Sequence, residues 1–279
     1  ALNGRVLITA HPLNISIPAN LGMMSPIRVA GGARIPLSPD QARWWAHLGA
    51  PGASPDAPVL AQDASRPSLL NYMAVRALLA ASDGPLSPDR WRPEGLRLHS
   101  ASAMEKAGLY INDSALPRVM WTPAWRIAAD LDEAVALISD PAFDPRRECV
   151  ITKGDWDPAQ LEATVPRPED DANLAGIPAA ALRITLDGPE RIVIECNAPR
   201  PGIVLLADSY APGWSATLNT APAPILQTNG LFRGVAVPEG VHRIEFHYRP
   251  LPFWMGLSIS LATLATLIVG GLLGLIRRG

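Results

Sequence analysis

Apolar positions in this chain occur in short runs until residue 250 and then in one long one. Residues 251–276 form twenty-six consecutive positions without a charged side chain. A bilayer core requires about 20 apolar residues of helix, so this run is long enough to cross it. A buried core helix is the alternative, but such helices rarely run so far without a charge. Tyr248, Phe253 and Trp254 fall where aromatic side chains settle at headgroup level.

Ahead of that run the pattern divides at an acidic, proline-bearing stretch. Residues 181–250 read as strands alone, at 182–186, 191–196, 203–207, 214–218, 231–237 and 241–248. The last alternates strictly, with Ile244, Phe246 and Tyr248 on one face and Arg243, Glu245 and His247 on the other. Such spacing predicts an antiparallel β-sandwich. Residues 1–165 are mixed. Strands are expected at 6–9, 108–112, 118–121, 125–128 and 148–152, and helices at 38–47, from 68 to 73, and at 130–139; residues 74–80 could continue the second helix or form a strand. The expected organisation is α+β: a mixed domain at 1–165, a linker at 166–180, a β-sandwich at 181–250, a transmembrane helix at 251–276 and a tail at 277–279.

The formal charge of −2 supplies no basic stripe for phosphates, which excludes a nucleic-acid partner. The 29 prolines and 22 glycines lie between apolar runs and mark turns. Cys149 and Cys196 have no metal spacing and sit in strand-like runs, as buried thiols or as one disulfide between domains. Arg243 and Arg249 on one side of the long helix balance Arg277 and Arg278 on the other, so charge alone does not orient it. The start at Ala1 leads us to expect more chain upstream, either a leader or further spans.

Two Asp-x-Asp pairs, Asp130/Asp132 and Asp155/Asp157, match a pattern that holds divalent metals, but both coincide with helix starts, where Asp acts as a cap. Trp44 and Trp45 suit core packing or a sugar platform. The five histidines are dispersed, and no nucleophile and base fall at a recognisable spacing, so no catalytic, metal-binding or cofactor-binding residue is assigned. In the long helix, Gly270 and Gly274 form a Gly-x-x-x-Gly step suited to packing against another helix.

Several motifs, in order, resemble YfhO-like bacterial membrane proteins. They are Leu69-Leu70-Asn71 with Val75-Arg76, Ala115-Leu116-Pro117-Arg118, Asp140 through Arg147, Tyr210-Ala211-Pro212-Gly213-Trp214, Asn229 through Arg233, Val237 through His242, and Phe246 through Pro250. The resemblance implies a portion of a polytopic glycosyltransferase of the GT-C type, which moves a sugar from a polyprenyl-phosphate carrier. It places residues 1–250 outside the bacterial cytoplasmic membrane and Arg277 and Arg278 in the cytoplasm, with catalysis in spans beyond this sequence. Its expected partners are membrane lipid, neighbouring helices of the same protein, the lipid-linked sugar and cell-envelope glycan. Trp214 could then stack on a sugar, and Asp208, Tyr210, Asn229 and Arg233 could bond its hydroxyls or a carrier phosphate, although a core position for Trp214 is the competing reading. Arg249 suits a lipid phosphate. Where the family often has Asp-Gly after the Pro-Gly-Trp strand, this chain has Asn219-Thr220-Ala221, and a looser turn is expected. The alternative function is a single-pass surface binding or scaffold protein.

Overall fold

The computed structural model describes residues 5–8, 28–29, 39–47, 68–81, 96–102, 107–152, 156–165 and 177–276. Most of the expected linker, Asp155 and the terminal arginines lie outside these residues, as does the side chain of Trp45. The fold is strand-rich with few helices, as α+β requires, and its strands form three sheets.

The first sheet is built from β1 (Arg5–Ile8), β2 (Arg28–Val29), β3 (Val75–Ala81), β4 (Leu96–Ser102) and β5 (Ala107–Asn112), in the order β2-β1-β3-β5-β4. Helix α1 (Pro39–His47) and the short α2 (Leu69–Tyr72) belong to the same half of the chain. The ambiguity after Met73 resolves as a strand: Ala74 takes φ 56°, which ends α2 and turns the chain into β3.

The second half supplies β9 (Ala181–Asp187), β10 (Arg191–Ala198), β11 (Gly202–Ser209), β12 (Trp214–Leu218), β13 (Ala221–Ala223), β14 (Leu226–Thr228), β15 (Phe232–Val237) and β16 (Gly240–Tyr248). These strands form two facing layers around a shared core, as expected, and the second layer is extended by strands from the first half. One sheet runs β13-β12-β16-β10-β9. The facing sheet runs β6-β11-β15-β14-β8-β7 and takes β6 (Val119–Thr122), β7 (Ala124–Ala128) and β8 (Glu148–Thr152) from the first half. Strands from both sides of 166–180 therefore share one sheet. Helix α3 (Leu131–Ile138) makes the crossover between the parallel β7 and β8.

The reason for the joint sheet is that β11 is apolar on both faces. Val204 and Leu206 enter the core between the sheets with Ile194, Val235, Ile244 and Phe246. Ile203 and Leu205 enter a second core with Trp125, Cys149, Ile151 and Leu161, the last from α4 (Pro158–Thr164). Such a strand needs a cover on each side, and the first half provides one of them. A third core joins Trp44, Leu69, Tyr72, Val135 and Ile138 to Leu231 and Phe232 at one end of the six-stranded sheet.

The Asn219-Thr220 turn is tight rather than loose. Both residues have positive φ, 50° and 77°, as a two-residue hairpin turn of the primed type requires. Asn219 secures it: its N–H donates to the Arg243 carbonyl at 2.8 Å, its Oδ1 accepts from the Arg243 N–H at 2.8 Å, and its Nδ2 lies 2.9 Å from Nδ1 of His242. Thr220 carries the strain, because a β-branched residue is disfavoured at φ 77°. Thr220→Gly should raise stability by about 1 kcal/mol, read as a higher midpoint in chemical denaturation.

Helix α5 (Leu251–Ile276) follows β16 after two residues. It holds a candidate membrane span at Phe253–Gly270, of mean hydropathy 1.8, none of which is buried. The buried-core alternative for this helix thus finds no support. Among the described residues, a Cβ added at Gly270 would meet nothing within 4 Å outside the helix's own nearby backbone.

Candidate functional site

Of the six residues singled out by sequence, Asp208, Arg233 and Trp214 contact one another, and Tyr210, Asn229 and Arg249 have other partners. Asp208, at the end of β11, accepts from Nε and Nη2 of Arg118 at 3.0 and 2.7 Å. Arg118 also donates Nη1 to Asp187, the last residue of β9, at 2.7 Å. From β15, Arg233 donates Nη2 to Asp208 at 3.2 Å. Its guanidinium lies 3.7 Å from the ring centroid of Trp214 and 5.3 Å from that of Phe246. The side chain of Arg233 is 2% exposed and that of Asp208 13%. This is an interior ion network that ties β9, β11 and β15 to the segment before β6.

Trp214 is half-buried, with Arg233 over its ring and Tyr248 at 5.1 Å in a tilted contact. Asn229 is 2% exposed at φ 47°; its N–H donates to the Val150 carbonyl at 2.6 Å and its Oδ1 accepts from the Val150 N–H at 2.9 Å. It staples β8 to the sheet. Tyr210 is half-buried, and its backbone N–H donates to the Leu231 carbonyl. Of the six expected contact residues, then, Asp208, Trp214, Asn229 and Arg233 face partners inside the fold, while Arg249 is exposed. Sequence reading missed Arg118, which bridges Asp208 and Asp187; opposite charges within apolar strand-like runs were the available signal.

Pro212-Gly213-Trp214 serves a different purpose. Gly213 has φ 93°, and a Cβ there would come within 3.0 Å of the Pro250 Cα and 3.1 Å of the Tyr248 ring. Its carbonyl accepts from the Arg249 N–H at 2.7 Å, and the Tyr248 N–H donates to the Glu190 carbonyl at 2.8 Å. The end of β12 is thereby clamped to Tyr248, Arg249 and Pro250, the residues ahead of α5.

One member of each acidic pair, Asp130 and Asp157, serves as a cap. Asp130 accepts from the Glu133 N–H at 2.9 Å while Glu133 accepts from the Ala129 N–H at 2.6 Å, a reciprocal box at the start of α3. Asp157 accepts from the Ala159 N–H at 2.9 Å. Asp132 pairs with Nε2 of His47 at 2.7 Å, and that hydrogen bond holds its carboxyl below the usual range. Among the described residues no group of three or more His, Cys, Asp or Glu side chains is placed to hold a metal. Trp44 is fully buried, edge-on to Phe232 at 5.2 Å, which is core packing and leaves no sugar platform.

Cys149 and Cys196 are free and buried, in different cores. Burial pushes their thiols up to about 12 and about 11, so neither forms thiolate near neutral pH. Iodoacetamide at pH 8 should leave both unmodified in the folded protein and alkylate both in denaturant, as mass spectrometry would record.

The upstream motifs are structural as well. Asn71 Oδ1 accepts from Asn112 Nδ2 at 2.9 Å, and Asp140 and Asp144 accept from the backbone N–H groups of Ala142 and Arg146 at 2.8 and 2.9 Å.

No curated protein and no solved structure gives a significant match to the chain. The family model described as bacterial membrane protein YfhO matches residues 189–260. The match begins in the turn before β10, takes in the Pro-Gly-Trp clamp and the ion-network residues Asp208 and Arg233, and ends within α5. The upstream motifs at 69–76, 115–118 and 140–147 lie outside it. Over residues 189–260 this chain is similar to the YfhO family of bacterial membrane proteins.

Proposed function

We propose that this chain is a non-catalytic module of a membrane glycosyltransferase of the GT-C type, standing on the outer face of the bacterial cytoplasmic membrane. Its role is to hold the acceptor or the polyprenyl-phosphate-linked sugar in register with catalytic spans outside residues 1–279. The observation that carries this reading is the clamp of Gly213 on Arg249 and of Trp214 on Tyr248, because it holds the residues that lead from the folded sandwich into the candidate membrane helix. A module that positions a substrate needs a rigid mount, since a misplacement of about 1 Å can cost a hundredfold in rate. The acidic side chains of the caps and the ion network support a non-catalytic role in this segment, since they are committed to those structural contacts. The family resemblance supplies the reaction class, and with it the orientation that leaves Arg277 and Arg278 in the cytoplasm.

The test is sugar transfer by the intact membrane protein in proteoliposomes, with and without residues 1–250. Loss of transfer with the remaining spans still inserted is the expected result. Undiminished transfer would overturn the positioning role and leave an anchored binding or scaffold module.

A further inference from the structure

The helix-proximal rim of the five-stranded sheet carries cations that the positioning role does not use. Arg191 stands opposite His247 in the β10/β16 ladder, on the side away from the buried Ile192 and Phe246. Their side chains are 48% and 31% exposed. Glu245 accepts from Arg191 Nη2 at 2.7 Å and Nε at 3.1 Å and from Arg243 Nε at 2.8 Å, and it lies 3.3 Å from Nε2 of His247. One carboxylate is therefore shared by two arginines and a histidine. Arg249 follows on the same strand path, exposed, with its backbone held by Gly213. Further from α5, Arg243 stands opposite Glu195, and Asp187, opposite Ile192, is held by Arg118, so Arg191 and Arg249 are the arginines nearest the helix, with Glu190 and Glu245 beside them.

Depth decides what such a rim meets. Arg249 and Pro250 alone separate β16 from α5, so at about 3.3 Å per residue Arg249 stands within roughly 7 Å of the first apolar helix residue. Leu251, Phe253 and Trp254 are all more than half exposed, an apolar and aromatic collar of the kind that settles at the headgroup boundary. A guanidinium at that level faces lipid phosphate, which it can bind bidentately. We propose that Arg249, assisted by Arg191 and His247, binds the phosphate of an anionic phospholipid in the bilayer that α5 enters. The proposal rests on α5 being a membrane helix and is independent of sugar transfer, so it stands or falls separately from the positioning role.

The test uses the full chain purified in detergent and offered an equimolar mixture of phosphatidylglycerol and phosphatidylcholine with identical acyl chains. Native mass spectrometry then counts the lipids retained. The wild type should keep phosphatidylglycerol with a preference of about fivefold or more, the effect of one basic residue at an anionic surface. Arg249→Gln alone should reduce that preference severalfold, and Arg191→Gln with Arg249→Gln should bring it close to unity. Arg97→Gln, which removes an exposed arginine far along the chain in β4, should leave it intact. Equal retention of the two lipids by the wild type, or an unchanged preference in Arg249→Gln, would overturn the proposal. Displacement of the lipid by excess inorganic phosphate would also overturn it, by assigning a site for soluble anions.

Discussion

Asp208→Ala is expected to destabilise the protein by about 3–5 kcal/mol, because it takes a carboxylate partner from the buried Arg233 and leaves Arg118 bound to Asp187 through Nη1 only. Arg233, 2% exposed, and Arg118, 12% exposed, both donate to this carboxylate. Neither guanidinium can lose its proton to escape the cost of burial. The size of the effect comes from the arginines left behind and does not measure what the network contributes to stability, which desolvation largely offsets. A second variant separates these two quantities. Asp208→Ala combined with Arg233→Leu should recover some of the loss, since it removes the most buried charge and leaves an apolar side chain beside Trp214 and Phe246. Thermal melts followed by circular dichroism would show it, with the single variant lower by roughly 10 °C and the double variant in between. A single variant that melts with the wild type would mean that Arg233 is not held by Asp208.

Gly213→Val should be the next most damaging change, and its effect should be local. A side chain at φ 93° is strained in itself, and the Cβ would press on the Pro250 Cα at 3.0 Å and the Tyr248 ring at 3.1 Å. Backbone atoms cannot swing aside as a flexible side chain would. The expected cost is about 2–4 kcal/mol, centred on the junction of β12, β16 and α5. The cores around Ile203 and Trp44 lie elsewhere in the fold and should keep their protection from hydrogen exchange. If the positioning role holds, sugar transfer should fall in this variant even where the sandwich stays folded, because the mount has loosened. Transfer equal to wild type in a variant with a proven loose junction would count against that role.

Local patterns in the sequence carried the elements well, because local rules govern them. The alternation along β16 puts Ile244 and Phe246 at 0% exposure and leaves Arg243 exposed. Asp130 and Asp157 cap helices as their spacing to the following residues requires. Pairing between distant strands was not legible. That β6, β7 and β8 join β11, β14 and β15 follows from a need to cover both faces of β11, which a single apolar run does not announce. The short strands β13, with Pro222 inside it, and β14, with Pro224 before it, are masked by turn-forming residues. β4 escaped notice because residues 97–100 are all exposed and show no buried face. At the site, Asp208, Asn229 and Arg233 have the chemistry of ligand contacts, and only the fold turns them toward one another. Their interior placement was hinted at by apolar neighbours: Leu205 to Ala207 before Asp208, and Leu231 and Phe232 before Arg233. The Asn219-Thr220 turn shows the opposite case, in which Thr220, poorly suited to a tight turn, is held in one by the hydrogen bonds of Asn219.

The claim on which the rest depends is that the sandwich and α5 are joined rigidly. Its most direct test is amide hydrogen exchange of the chain in lipid nanodiscs, read at Tyr248 and Arg249. The structure gives both amides acceptors inside the fold, the carbonyls of Glu190 and Gly213. They should therefore exchange as slowly as the amides of β16. Exchange at the rate of an open linker at these two residues would mean that the sandwich swings freely on its helix, and the account of a fixed mount would be wrong.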